Sequence, residues 1–257
     1  MIHTFASVKQ ELNNIEAIQE YVMTSTEMVL EFEKRRIKIS IMCSKFQTKE
    51  YKEVSSKNDA RLTLLIKSIE VLTNLEVGLM NLSYIAQDPE WIKKYPFDLM
   101  NEDHKNVKDS HEIFFKIAFI HIYFSGIESS FRAFLKKIDP FSCNNSTAEF
   151  KSIYEVLLKK LDLKQYIPLL DLFRCIRNTI HNNGVFIPPS NKDECIKYKG
   201  KKYDFYVGKP QEHSSWNDLL FILDETILMM EDVLKTSIIM NMIHIDDPFT
   251  SQIWPRY

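Results

Sequence analysis

Apolar residues recur at three- and four-residue spacings over most of this chain, the period of a helix with one buried face. Leu12, Ile15, Ile18, Tyr21, Val22, Met28, Val29 and Phe32 mark a first stretch, residues 7 to about 46, read as one long helix or two stacked ones. Residues 48–58 are polar and read as a loop. Asp59 is placed to cap a second helix that reaches about Gln87, with Leu65, Ile69, Leu72, Leu75, Leu79 and Leu82 along its stripe and Asp88-Pro89 as its stop. Residues 89–106 have no period, and Trp91, Tyr95, Pro96 and Phe97 read as a packed lid.

A third long helix is expected from Lys108 to Ile138, stopped by Asp139-Pro140. Ser146 or Thr147 then caps a fourth, running to about Leu161. Residues 163–183 hold a fifth, with Pro168 tolerable only near its first turn and Gly184 suited to the left-handed position just past its end. The pattern switches to alternation between Cys195 and Gly208, which predicts a hairpin turning at Lys199-Gly200. Ser215 caps a last helix from Trp216 to about Met242, followed by an extended tail over 246–257. The fold class expected is all-α: an antiparallel helical bundle with a small β-hairpin insertion. No repeat or composition shift divides the chain, so 1–257 reads as a single domain. Within it, 1–106 supply N-terminal helices and a loop, and 107–245 a later bundle.

Composition removes several function classes. Five glycines, none close to another, leave no phosphate-cradling loop of the Walker or Rossmann kind. The four cysteines are scattered without a C-x-x-C pair, so neither a thiolate zinc site nor any other metal site or cofactor is expected. His104 and His111 lie seven apart but have no clean third ligand. The longest apolar stretch, Ile113 to Ile127, contains Lys116 and His121 and reads as a buried helix, with no membrane span. With no leader-like start, a cytoplasmic address with reduced thiols is expected. A net charge of −2 gives no global field to attract nucleic acid, so any such contact must come from a local basic patch or a dimer groove.

The candidate chemistry lies on the fifth helix, in Arg174-Cys175-Ile176-Arg177-Asn178-Thr179-Ile180-His181-Asn182-Asn183. At about 100° per residue, Arg174 and His181 fall nearly on one line, flanked by Arg177 and Asn178. Leu172, Phe173, Ile176 and Ile180 occupy the other side. Arginine presents planar donors suited to phosphate, and histidine exchanges a proton near neutral pH. Cleavage of an RNA phosphodiester needs both. A solvated helix face with an Asn-Gly terminus accounts for the same residues, and this alternative stays open.

The segment resembles the signature of the HEPN superfamily of helical ribonucleases and toxins, an arginine separated from a histidine by four to six residues. Arg174 to His181 fits that spacing, while Arg177-Asn178 matches the family's frequent arginine–polar pair at a shorter distance from His181. The run Phe124-Ser125-Gly126-Ile127-Glu128-Ser129-Ser130-Phe131-Arg132 looks like the earlier helix of such proteins. Glu128 and Arg132 share one face there, which His121 and Ser125 continue. They read either as an ordinary intrahelical ion pair or as part of the site. The resemblance implies an HEPN-like bundle over 107–245 and a metal-independent endoribonuclease, a toxin or phage-defence effector acting on RNA. Arg174, Arg177, His181 and Glu128 would be catalytic, and Asn178, Asn182, Asn183 and Arg132 would bind substrate. It also implies a homodimer, and a neutralising antitoxin or effector partner. The competing reading is a non-catalytic HEPN-like helical module for interaction or nucleotide binding. A second, weaker candidate for RNA contact is the hairpin, where Lys197, Lys199, Lys201 and Lys202 interleave with Tyr198 and Tyr203.

Overall fold

The computed structural model describes residues 26–46, 58–87, 104–142 and 149–247. The expected lid at Trp91–Phe97, the caps at Ser146 and Thr147, and most of the tail lie outside these residues. Helices dominate: α1 (helical over 26–45), α2 (Ala60–Gln87), α3 (His104–Ile138), α4 (Phe150–Lys160), α5 (Ile167–His181), α6 (Trp216–Lys235) and the short α7 (Ser237–Met240). A hairpin, β1 (Glu194–Tyr198) and β2 (Lys201–Phe205), lies between α5 and α6. Helices with a small β-hairpin are therefore what forms. Among the described residues no helix is long and apolar enough to cross a membrane.

The chain divides into two compact units, each taking one part of α1, α2 and α3. The first contains residues 26–37, 70–87 and 104–119. Phe32 and Phe119 are buried with ring centroids 6.0 Å apart, and Arg36 donates through Nε to both oxygens of Glu76, at 2.8 and 2.9 Å. Gly78 permits close approach there, since a Cβ would stand 2.5 Å from the Phe115 ring.

The second unit holds 38–46, 58–69, 120–142 and 149–247. Its centre is aromatic. Phe124 meets Phe150 and Phe173 edge to face at 5.2 and 5.0 Å, and Phe150 meets Tyr154 at 5.0 Å. Phe124, Ile127, Phe131 and Phe134 are buried, as the period of α3 requires. Ile117, also expected in the core, is 37% exposed. Asp59 caps α2 as expected, with Oδ1 accepting from the Arg61 backbone N–H at 2.9 Å. It also forms a bidentate ion pair with Arg61, and both side chains are fully buried. Arg61 donates further to the carbonyls of Ile239 and Met242, and the Asp59 carboxylate accepts from Ile245 N–H.

Four boundaries differ from the sequence reading. The fifth helix is preceded by a separate 3₁₀ turn, Lys164–Tyr166, and α5 begins only at Ile167, which puts Pro168 in its first turn, where its missing N–H costs nothing. Glu149, in extended conformation, precedes α4 and makes no side-chain cap. α3 starts at His104. The last helix does not reach Met242: Thr236 is extended (ψ 138°), and its hydroxyl donates to the Val233 carbonyl at 2.8 Å, closing α6 before α7. The hairpin turn falls where expected, with Lys199 and Gly200 both left-handed (φ 45° and 78°).

Candidate functional site: an arginine–histidine cluster between two helices

Leu169, Leu170, Leu172, Phe173, Cys175, Ile176 and Thr179 bury one side of α5. Arg174, Arg177, Asn178 and His181 are left on its flank, and the two arginines meet different surroundings.

Arg174 is neutralised. Its side chain is only 14% exposed, and Nη2 lies 2.5 Å from the Glu194 carboxylate in β1 and 3.8 Å from Asp171. Tyr154 donates to Asp171 at 2.6 Å, and the Cys175 thiol donates to Glu194 at 3.4 Å. Burial pushes that thiol well above its ordinary pKa, so it stays protonated as a donor. Arg174 thus fastens α5 to the hairpin.

Arg177 is not neutralised. Its guanidinium lies over the Phe124 ring, 5.8 Å from the centroid, and Nη1 donates to Asn178 Oδ1 at 3.3 Å. Its Nε is buried with no hydrogen-bond partner. Among the described residues, Arg35, Arg36, Arg61, Arg132 and Arg174 each bind a carboxylate, and Arg177 alone does not. Arg174 Nε is buried and unpartnered in the same way, so the difference between the two arginines lies in their carboxylate partners.

The contacts of α5 with α3 run antiparallel: Phe173 and Arg177 meet Phe124, and one turn further His181 meets His121. The two imidazoles touch edge to face, centroids 4.2 Å apart and planes at 76°. Burial, then the Arg177 charge, lowers the pKa of His181; burial, then His181 and Arg177, lowers that of His121. Both rings therefore favour the neutral form at neutral pH more than a free histidine does.

The other predicted residues are distributed as follows. Glu128 accepts from Arg132 Nε and Nη2 at 3.1 and 2.6 Å, so its carboxylate is engaged along α3 and is not bonded to His181. Asn182 donates to the Asn178 carbonyl at 2.9 Å and closes the helix. Asn183 and Gly184 are both left-handed (φ 54° and 86°), and Gly184 N–H returns to the Thr179 carbonyl at 3.0 Å. Asn182 and Asn183 thus shape the helix end beside His181. The hairpin lysines are largely compensated, with Lys199 bound to Glu225, Lys201 to Asp218 and Lys202 to Asp204. Tyr198 and Tyr203 are buried and offer no stacking surface. His121 is the site residue that sequence reasoning placed on the right face without assigning it a role; its signal was a histidine one turn before Phe124 in an otherwise apolar stretch.

The cluster contains the Arg177 guanidinium and two adjacent imidazoles, and among the described residues no carboxylate is bonded to any of them. A guanidinium and imidazoles are the groups with which proteins bind anions and exchange protons near neutral pH. No protein-family model, curated protein or solved structure matches this chain.

Proposed function

We propose that this protein is a metal-independent, HEPN-like endoribonuclease, of the kind that serves as a toxin or phage-defence effector. The observation that carries the reading is the uncompensated Arg177 beside the His121–His181 contact. The spacing of the resemblance pointed first to Arg174, but its pairing with Glu194 favours Arg177 as the phosphate-binding arginine. Arg177 holds the non-bridging oxygens and stabilises charge on the pentavalent phosphorus. His181 takes the 2′-hydroxyl proton as O2′ bonds to phosphorus and the bond to O5′ breaks. The products are a 2′,3′-cyclic phosphate and a 5′-hydroxyl. Asn178 orients Arg177.

One guanidinium is a weak anchor for a polyanion on a chain of net charge −2, so a homodimer with two such clusters side by side is part of the proposal. The test is cleavage of a broad RNA panel in chelator. His181→Ala should cut about 10²–10⁴-fold more slowly with an unchanged circular dichroism spectrum. No cleavage by the wild type, or equal cleavage by the variant, would leave the non-catalytic module as the reading.

A further inference from the structure

We propose that His121 is the second catalytic residue of this site, giving a proton to the leaving 5′-oxygen while His181 takes the proton of the attacking 2′-hydroxyl. The inference rests on the nuclease reading above and adds a residue to it that neither the motif nor the resemblance supplies.

Geometry carries the argument. His121 comes from α3 and His181 from α5, and their rings are in contact. A histidine that serves only the fold is usually fixed by a hydrogen bond, as His213 is by the Asp204 carbonyl at 3.1 Å. Neither His121 nor His181 has such a bond within the described residues. α5 presents Arg177 and Asn178 to the pair, and α3 presents Phe124 and the exposed Ser125; the nearest acid on α3, Glu128, is held by Arg132. Two imidazoles in contact beside a guanidinium cannot both be charged cheaply, so a proton on one opposes a second on the other, and on the acid side of neutral the pair passes through a one-proton state. A pair of that kind contains a base and an acid at the same moment.

The protons balance. The reactive one-proton form has His181 neutral and His121 protonated. His181 gains the 2′-hydroxyl proton as the O2′–P bond forms, and His121 loses its proton to O5′ as the P–O5′ bond breaks. The pair ends with one proton, now on His181, and exchange with water resets it. No oxidant, reductant or further reactant is required.

The experiment uses the full chain, His121→Asn, His181→Asn, and an RNA cleaved by the wild type. The same RNA is also made with sulfur in place of the bridging 5′-oxygen at the scissile position. A thiolate leaves without a proton. On ordinary RNA both variants should be slower by about 10²–10⁴-fold. On the sulfur substrate His121→Asn should recover to within about tenfold of wild type, while His181→Asn should not. The wild-type pH–rate profile should be bell-shaped and centred on the acid side of neutral, and His121→Asn should lose its alkaline limb. Imidazole titrations by NMR give a second readout without turnover. His181→Asn should raise the His121 midpoint, and a 2′-deoxy oligonucleotide should raise both midpoints in wild type but not in Arg177→Ala. Overturning results are His121→Asn cleaving ordinary RNA like wild type, equal sulfur effects in both variants, or a His121 midpoint indifferent to His181. If wild type cleaves RNA and any of these occurs, the His121 inference falls and the nuclease reading stands. If wild type cleaves nothing, the nuclease reading falls and the catalytic role of His121 falls with it.

Discussion

Arg174 and Arg177 are three residues apart on one helix, yet their charges serve different ends. Glu194 and Asp171 consume the charge of Arg174, whereas Arg177 rests on Phe124 and keeps its charge available. Arg174→Ala should therefore act on stability: it leaves Glu194 without its cation, while Asp171 keeps Lys151 at 3.5 Å, and it loosens the hairpin, costing about 1–3 kcal/mol in urea melts. Arg177→Ala should leave the melt within about 0.5 kcal/mol of wild type and lose cleavage instead. The reverse pattern would restore Arg174 as the motif arginine. The sequence showed that both arginines share a polar flank with His181. It did not show which was free, because Glu194 arrives from a hairpin 20 residues later. Glu128 was likewise legible as a partner for Arg132, being four residues away on one face, and that local pairing is what forms.

At the level of elements, periodicity located α2, α3, α5 and α6, and the left-handed Lys199-Gly200 pair located the hairpin turn. These features depend on neighbours within a turn or two, so sequence records them directly. The start of α2 shows what lies beyond that reach. Asp59 reads as a helix cap, and it is one, but it also neutralises Arg61, whose guanidinium binds carbonyls about 180 residues away near α7. Burial opposes the charge of Asp59, but the hydrogen bonds from Arg61 outweigh it and hold the carboxyl below its ordinary range. A depressed carboxylate pKa adds stability that is present above the unfolded value and is lost as pH falls through the folded one. Asp59→Ala would leave a fully buried guanidinium uncompensated and should cost about 3–5 kcal/mol, read as a lower urea midpoint. A loss under about 1 kcal/mol would mean that the pair is solvated in solution. The early end of α6 was not legible, since Thr236 is acceptable within a helix and stops this one only through its bond to Val233.

For the whole molecule the central quantity is charge. The net charge is −2, and Lys199, Lys201 and Lys202 of the hairpin are bound to acids, whereas Arg177 between α3 and α5 binds no carboxylate among the described residues. One such cluster gives little hold on RNA in physiological salt, where the Debye length is about 8 Å. A homodimer is therefore expected in sedimentation velocity at micromolar concentration, with Arg177→Glu weakening RNA retention without dissociating the dimer. A strictly monomeric chain at high micromolar concentration would remove the paired-site part of the proposal.

The most direct measurement is the chemistry of the cut ends. RNA incubated with the protein in excess chelator, then analysed by mass spectrometry, should yield fragments with a 2′,3′-cyclic phosphate on one side and a 5′-hydroxyl on the other. Arg177→Ala and His181→Ala should each remove them. Intact RNA across the panel, fragments ending in a 5′-phosphate, or the same fragments from both variants would contradict the account.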